Sequence, residues 1–191
     1  MNANMTQQSI DPARCVLVLV DYQERLLPAI HDGERVVAQA VRLADAAREL
    51  GIRVVGTEQN PRGLGPNTAP VRGRCETTLA KMHFDACEDG LVGLLREGRG
   101  TAPTQVVIAG CEAHVCLLQT TLGLLRAGLH AWVVAPACGS RTPADHALAM
   151  QRLQGAGAVL VSPEMVIFEW LRSCTHERFK PVLQQVKAHP A

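Results

Sequence analysis

The sequence contains no CxxC pair, although it carries seven cysteines, at positions 15, 75, 87, 111, 116, 138 and 174. An odd set without paired spacing excludes a disulfide framework and indicates free thiols in a reducing cytoplasm. No excess of either charge is present. The 19 Lys and Arg are interspersed with 18 Asp and Glu, for a formal charge of +1. Nucleic acid and acidic membrane surfaces are therefore not expected as partners, and a small-molecule substrate is. Long apolar runs are missing too. The longest, CVLVLV at residues 15–20, is far too short to span a bilayer, and the N-terminal MNANMTQQSIDPAR has no hydrophobic signal core. The expectation is an unexported cytoplasmic protein without a membrane segment. There are no internal repeats and no GxxxxGK[ST] loop, and the GLG at residues 63–65 neither follows a strand directly nor opens a helix, so no nucleotide cofactor is expected. His83 and Cys87, with Cys75, Cys111 and His114 elsewhere, lack paired ligand spacings, and no metal is expected.

What is present is an alternation of apolar strands and amphipathic helices. The 191 residues suffice for one domain, 1–191, that buries its core without staples, with residues 1–12 as a loose N-terminal arm. CVLVLV reads as a central buried strand stopped by Asp21. Val36, Ala40, Leu43, Ala47 and Leu50 mark one face of a helix over residues 34–50, which Gly51 stops. Residues 52–56 read as a second strand, and the Pro- and Gly-rich stretch that follows reads as a long surface loop of the kind that tends to be functional. Residues 77–80 form a short strand delivering Lys81, and residues 91–96 a helix ending near Gly98. Residues 131–135 and 158–161 are further strands. Thr142-Pro143 and Ser162-Pro163-Glu164 are capped helix starts. A terminal helix from Thr175 places Phe179, Val182, Leu183 and Val186 on one face, suited to the sheet or to a neighbouring subunit. Six alternations predict an α/β fold with a mostly parallel, doubly wound sheet, helices on both faces, and a site at the carboxyl ends of the strands.

The most informative stretch is VVIAGCEAHVCLLQ at residues 106–119, where a buried strand passes through a Gly110 turn into a helix. Its expected apolar stripe is Val115, Leu118, Leu122 and Leu125. Cys116 falls in the first turn, where unpaired N–H groups favour a thiolate. Position alone leaves a small core residue as the commoner role for such a cysteine. Asp21, Lys81 and Cys116 each follow a different strand at the same sheet edge. Together they could supply a proton acceptor, a cation favouring the thiolate and a nucleophile, with main-chain N–H groups of the turn receiving an oxyanion. A Lys–Asp pair beside an inert cysteine fits the same spacing.

GCEAHVC followed by LLQTTLGLLRAG closely resembles the nucleophile segment of the isochorismatase-like cysteine hydrolases. LVDYQ around Asp21, TEQNPRGLGPNT at residues 57–68, LAKMHF around Lys81 and GSRTPADHALAMQRLQGAGA at residues 139–158 resemble further family segments in the same order. The resemblance implies a triad of Asp21, Lys81 and Cys116, a six-stranded sheet in the order 3-2-1-4-5-6, and a homo-oligomer, dimer or higher. It also implies a cis Cys111–Glu112 peptide, with the Glu112 and Cys116 N–H groups as the oxyanion hole. Tyr22, Gln23, Phe84 and His114 are the residues near the triad that could wall a substrate pocket.

Two departures from the family pattern stand out. Pro136 replaces an Asp whose hydrogen bonds the turn around Ser140 then lacks. Thr57, Glu58 and Gln59 stand where the metal-binding nicotinamidases of the superfamily carry an Asp-x-His pair, which again argues against a metal. True isochorismatases cleave a vinyl ether without a cysteine nucleophile, so Cys116 favours hydrolysis of an amide-type C–N bond through a thioester, with no cofactor. The alternatives are a thiol-redox protein using Cys111 and Cys116, or a non-catalytic assembly protein on the same fold.

Overall fold

The computed structural model describes residues 9–97 and 102–188. Its six strands are β1 (Cys15–Val20), β2 (Val54–Gln59), β3 (Thr77–Lys81), β4 (Gln105–Gly110), β5 (His130–Val134) and β6 (Val159–Val161). All pair in parallel, in the order β3-β2-β1-β4-β5-β6. The longer helices are α1 (Gly33–Glu49), α5 (Leu118–Arg126), α6 (Pro143–Gly155), α7 (Pro163–Leu171) and α8 (Phe179–Ala188). Between them fall the short α2 (Pro61–Leu64), α3 (Ala69–Arg72) and α4 (Leu91–Arg96). The expected doubly wound α/β sheet with helices on both faces is therefore present, in the expected strand order. Every residue of β1 and β4 is buried, as continuous apolar runs must be when both faces of a central strand are covered. β3, at the edge, alternates instead: Thr77, Leu79 and Lys81 turn inward while Thr78 and Ala80 are exposed.

Four local expectations change. β2 runs to Gln59 rather than Gly56, because β3 pairs along it from Val55↔Thr77 to Gln59↔Lys81 and holds it extended. The sequence of the edge partner, not of β2 itself, sets this end. Residues 9–12 are not loose: Ile10 is buried, its N–H donates to Glu169, and Asp11 pairs with Arg172. Residues 1–8 of the expected arm, and the helix end near Gly98, lie outside the described residues. Of the expected stripe Leu118 is buried, but the rest of the buried side of α5 and the turn before it is carried by Leu117, Thr120, Thr121 and Leu124, while Val115, Leu122 and Leu125 are half-buried. Two threonines can occupy the core side because Thr121 donates to the Leu117 carbonyl, and Thr120 bonds the Phe84 carbonyl and the Ala86 N–H. Finally, α8 begins at Phe179, and its Val182 and Val186 are buried in contact with α1 of the same chain.

Where β1 and β4 run side by side, chain connections leave in opposite directions across the sheet, and a crevice opens at their carboxyl ends. Gly110 closes the bottom of that crevice. A Cβ there would overlap the backbone and Cβ of Val20, so only glycine allows the two strand ends to approach. Gly110→Ala is expected to lower unfolding stability by about 1–3 kcal/mol, read as a lower urea midpoint. Gly93, in α4 with nothing near its Cβ position, provides the contrast: Gly93→Ala should raise stability by about 0.5–1 kcal/mol.

Candidate active site

Three strand ends converge at the crevice. β1 delivers Asp21, which has φ 55, a left-handed conformation that costs on the order of 1–3 kcal/mol for a residue with a side chain. β3 delivers Lys81, and β4 leads through Gly110 into the turn bearing Cys116. Asp21 and Lys81 are shielded from solvent, at 0% and 1% exposure, and form an ion pair with Nζ 2.8 Å from Oδ2. The two strands are not neighbours. β2 lies between them, and adjacent strands are about 4.8 Å apart, so the four-carbon stem of Lys81 must reach across the end of β2.

β2 supplies the floor beneath that reach. Thr57 and Gln59, two residues apart, share a face of the strand. Thr57 Oγ1 donates to Asp21 Oδ1 at 2.7 Å, and Gln59 Oε1 accepts from Lys81 Nζ at 2.6 Å. Lys81 also points an N–H at the His83 carbonyl, 3.3 Å away. Asp21 Oδ2 meets Lys81 off the axis of a hydrogen bond, and no aligned donor reaches it among the described residues. It keeps a lone pair free to accept a proton.

Cys116 sits in a wide turn, Ala113–Leu117, in which the Leu117 N–H bonds the Glu112 carbonyl five residues back. Its Sγ is 3.9 Å from Gln59 Oε1, and the residue is 5% exposed, the most accessible of the three. The preference for a thiolate expected at the helix end is opposed by the surroundings. Burial pushes the Cys116 thiol up to about 12; Asp21 pushes the same way, and Lys81 opposes them. The helix-end effect read from sequence is outweighed because desolvation acts on the whole charge. The Cys111–Glu112 peptide is cis, and the Glu112 N–H has no acceptor among the described residues.

The remaining expected residues separate. Tyr22 and Gln23 are fully buried and are not walls of a cavity. The Tyr22 hydroxyl donates to the Ala137 carbonyl, and Gln23 bonds the Gln59 N–H and the carbonyls of Gln59 and Gly65. They fasten the β1 end to its surroundings. Phe84 is half exposed and lines, with Met82, His83 and Gln119, a cleft of about 390 Å³ whose walls include none of the three triad residues. His114 Nδ1 lies 2.9 Å from Ser140 Oγ, and Glu112 is paired with Arg141 at 2.7 Å. The turn at Ser140 is held without the missing Asp, by backbone bonds from Ala113 N to Gly139 O, Gly139 N to Gly110 O and His31 N to Ser140 O. Pro136 is exposed beside it.

In the sequence, Thr57 and Gln59 stand out only as replacements for metal ligands. Their period-two placement in a longer β2 was the signal that could have found them. Glu58, pointing the other way, accepts the Asn67 N–H. Among the described residues no three His, Cys, Asp or Glu side chains converge as a metal site.

Comparison with known proteins agrees with this fold. The isochorismatase domain family matches residues 15–165. Human isochorismatase domain-containing protein 2 is 34% identical over 178 residues, covering 92% of this chain and 84% of its own. Among solved structures, the MAR1 ribonuclease of Caenorhabditis elegans superposes with a TM-score of 0.88 at 32% identity, covering 96% of this chain and 95% of that one. The YcaC gene product of Escherichia coli, described as an octameric hydrolase of unknown specificity, shares the fold with a TM-score of 0.85 at 22% identity, over 95% and 90% of the two chains. With a six-stranded sheet in the expected order and a family match over most of its length, the chain belongs to the isochorismatase domain family.

Proposed function

We propose that this chain is a cysteine hydrolase that cleaves an amide-type C–N bond of a small molecule, using Asp21, Lys81 and Cys116. The observation that carries the reading is a water-shielded Lys81–Asp21 ion pair set against Cys116, the least deeply buried of the three at 5% exposure. At rest the sulfur is a thiol. As Sγ attacks the carbonyl carbon, its proton passes to Asp21 Oδ2, and Lys81 favours the developing thiolate. The carbonyl π pair moves to oxygen, where the Glu112 and Cys116 N–H groups receive it. Collapse breaks the C–N bond, and Asp21 returns the proton to the departing amine, leaving a thioester on Cys116. Water then gives a proton to Asp21 and attacks the thioester, and the sulfur leaves with that proton, releasing the acid.

The triad's only cation is committed to Asp21 and Gln59, which favours a neutral substrate over a phosphodiester, although one relative is named a ribonuclease. A redox role for Cys111 and Cys116 has less support, since Cys111 is fully buried and burial holds its thiol well above the usual range. All seven cysteines are free, in keeping with a cytoplasmic setting. Among the described residues no helix is long and apolar enough to cross a membrane. Exposed Met82 and Phe84 at the cleft, together with the octameric relative, support assembly into at least a dimer.

A panel of small primary amides and carbamoyl compounds, assayed for ammonia release, tests the reaction. At least one should be turned over, and Cys116→Ala should reduce the rate to background. No turnover anywhere on the panel would favour the non-catalytic assembly alternative. The rate should also persist after exhaustive chelation; loss restored by zinc or iron would overturn the metal-free mechanism. Iodoacetamide labelling against pH, in a Cys174→Ser background that removes the exposed thiol, tests the charges. Lys81→Ala should slow Cys116 labelling at fixed pH, and Asp21→Asn should speed it while abolishing hydrolysis. Moving the labelling midpoint by one pH unit changes the thiolate fraction about tenfold. Light scattering should report at least twice the 20.6 kDa chain mass; a monomer at micromolar concentration would rule out the assembly.

A further inference from the structure

Gln59 is 8% exposed, ends β2 in register with Lys81, and is gripped at every polar atom. Its main-chain N–H and carbonyl both bond Gln23, whose Nε2 also reaches Gly65. Its side-chain Nε2 donates to the Met82 carbonyl at 2.8 Å. A carbonyl can only accept, so the orientation of the amide is fixed, and Oε1 must face Lys81 and Cys116. There it stands 2.6 Å from Nζ and 3.9 Å from Sγ. Of the three acceptors around the ammonium, Asp21 Oδ2, Gln59 Oε1 and the His83 carbonyl, the Gln59 contact is the shortest.

We propose that Gln59 is a positioning residue of the hydrolytic site, whose amide oxygen holds the Lys81 ammonium between Asp21 and Cys116 and accepts the S–H of the resting thiol. This rests on the cysteine-hydrolase reading above. The amide contributes no net charge, so it can anchor the ammonium without neutralising it, as a second carboxylate would. The negative end of its dipole faces the sulfur, which keeps Cys116 a thiol until a substrate carbonyl engages it. The charged groups acting on that sulfur are Asp21 from the end of β1 and Lys81 from the end of β3. On its own turn, Glu112 is held by Arg141 and His114 by Ser140.

Two replacements of similar length separate positioning from mere packing. Gln59→Met removes the acceptor dipole and frees an ammonium N–H for the sulfur, so Cys116 labelling by iodoacetamide should shift to lower pH. Gln59→Glu sets a carboxylate against the sulfur, so labelling should shift to higher pH. Each shift should be about one pH unit, or roughly tenfold in rate at fixed pH. In both variants kcat for a turned-over amide should fall more than KM rises, because Lys81 loses its anchor in Gln59→Met and has its charge neutralised in Gln59→Glu. The measurements use the full chain in the Cys174→Ser background, with Lys81→Ala and Asp21→Asn alongside. Shifts of opposite sign support the proposal. Unmoved profiles, or shifts of the same sign, overturn it. If Lys81→Ala and Asp21→Asn also leave the profile unmoved, the triad reading fails as well; if only the Gln59 variants do, the triad stands and Gln59 is packing.

Discussion

The ion pair between Lys81 and Asp21 is the constraint around which the crevice is built. Two opposite charges removed from water lose several kcal/mol of hydration each, and only close geometry with satisfied remaining atoms offsets that loss. The surroundings meet this requirement at every atom of the pair except Asp21 Oδ2, which has the ion pair alone. Thr57 satisfies one Asp21 oxygen, and Gln59 and the His83 carbonyl take the other ammonium hydrogens. Because β2 separates the two charged residues, the pair can form only through a side chain long enough to cross a strand. That geometry explains why a lysine ends the edge strand and why the last inward residues of β2 are polar.

The pair also governs the sulfur. Cys116 lies beside a carboxylate that disfavours its anion and an ammonium that favours it, inside a shell that disfavours any charge. With burial the largest influence, the thiol is favoured over its anion, so the proposed reaction requires a proton to move as the sulfur attacks. The off-axis lone pair of Asp21 Oδ2 is suited to that transfer. The wide turn at Ala113–Leu117 carries the sulfur at the crevice, and the Ala113 N–H at its start and the Gly110 carbonyl before it both bond Gly139.

Away from the crevice, a few partly buried polar contacts secure the outer layers. Arg42, 1% exposed on α1, reaches Glu164 at the start of α7 at 2.6 Å, and Asp85 receives Arg126 from α5 at 2.7 Å. Asp85 also caps the Cys87 N–H, which orders the segment just beyond Lys81. α8 covers α1 with Val182 and Val186, so part of the apolar face that suggested a subunit contact is used within the chain.

Much of this was legible in the sequence. CVLVLV at residues 15–20 and VVIA at residues 106–109 read as buried strands, because continuous apolar runs need cover on both faces. The alternation of strand and helix placed Asp21, Lys81 and Cys116 at one edge of the sheet, and the helix starts at Pro143 and Pro163 were marked by their caps. The end of β2, the threonines on the core side of α5 and the burial of Tyr22 and Gln23 were not legible. Each depends on a partner far away in the chain: the register of β3, the carbonyls of Phe84 and Ala137, the loop at Gly65. The sequence alone determined which residues stand at the strand ends, since periodicity and turn residues are local properties. The resting state of Cys116 and the place of Gln59 were decided only by the tertiary structure, because desolvation and charge proximity depend on what the rest of the chain brings within a few ångströms.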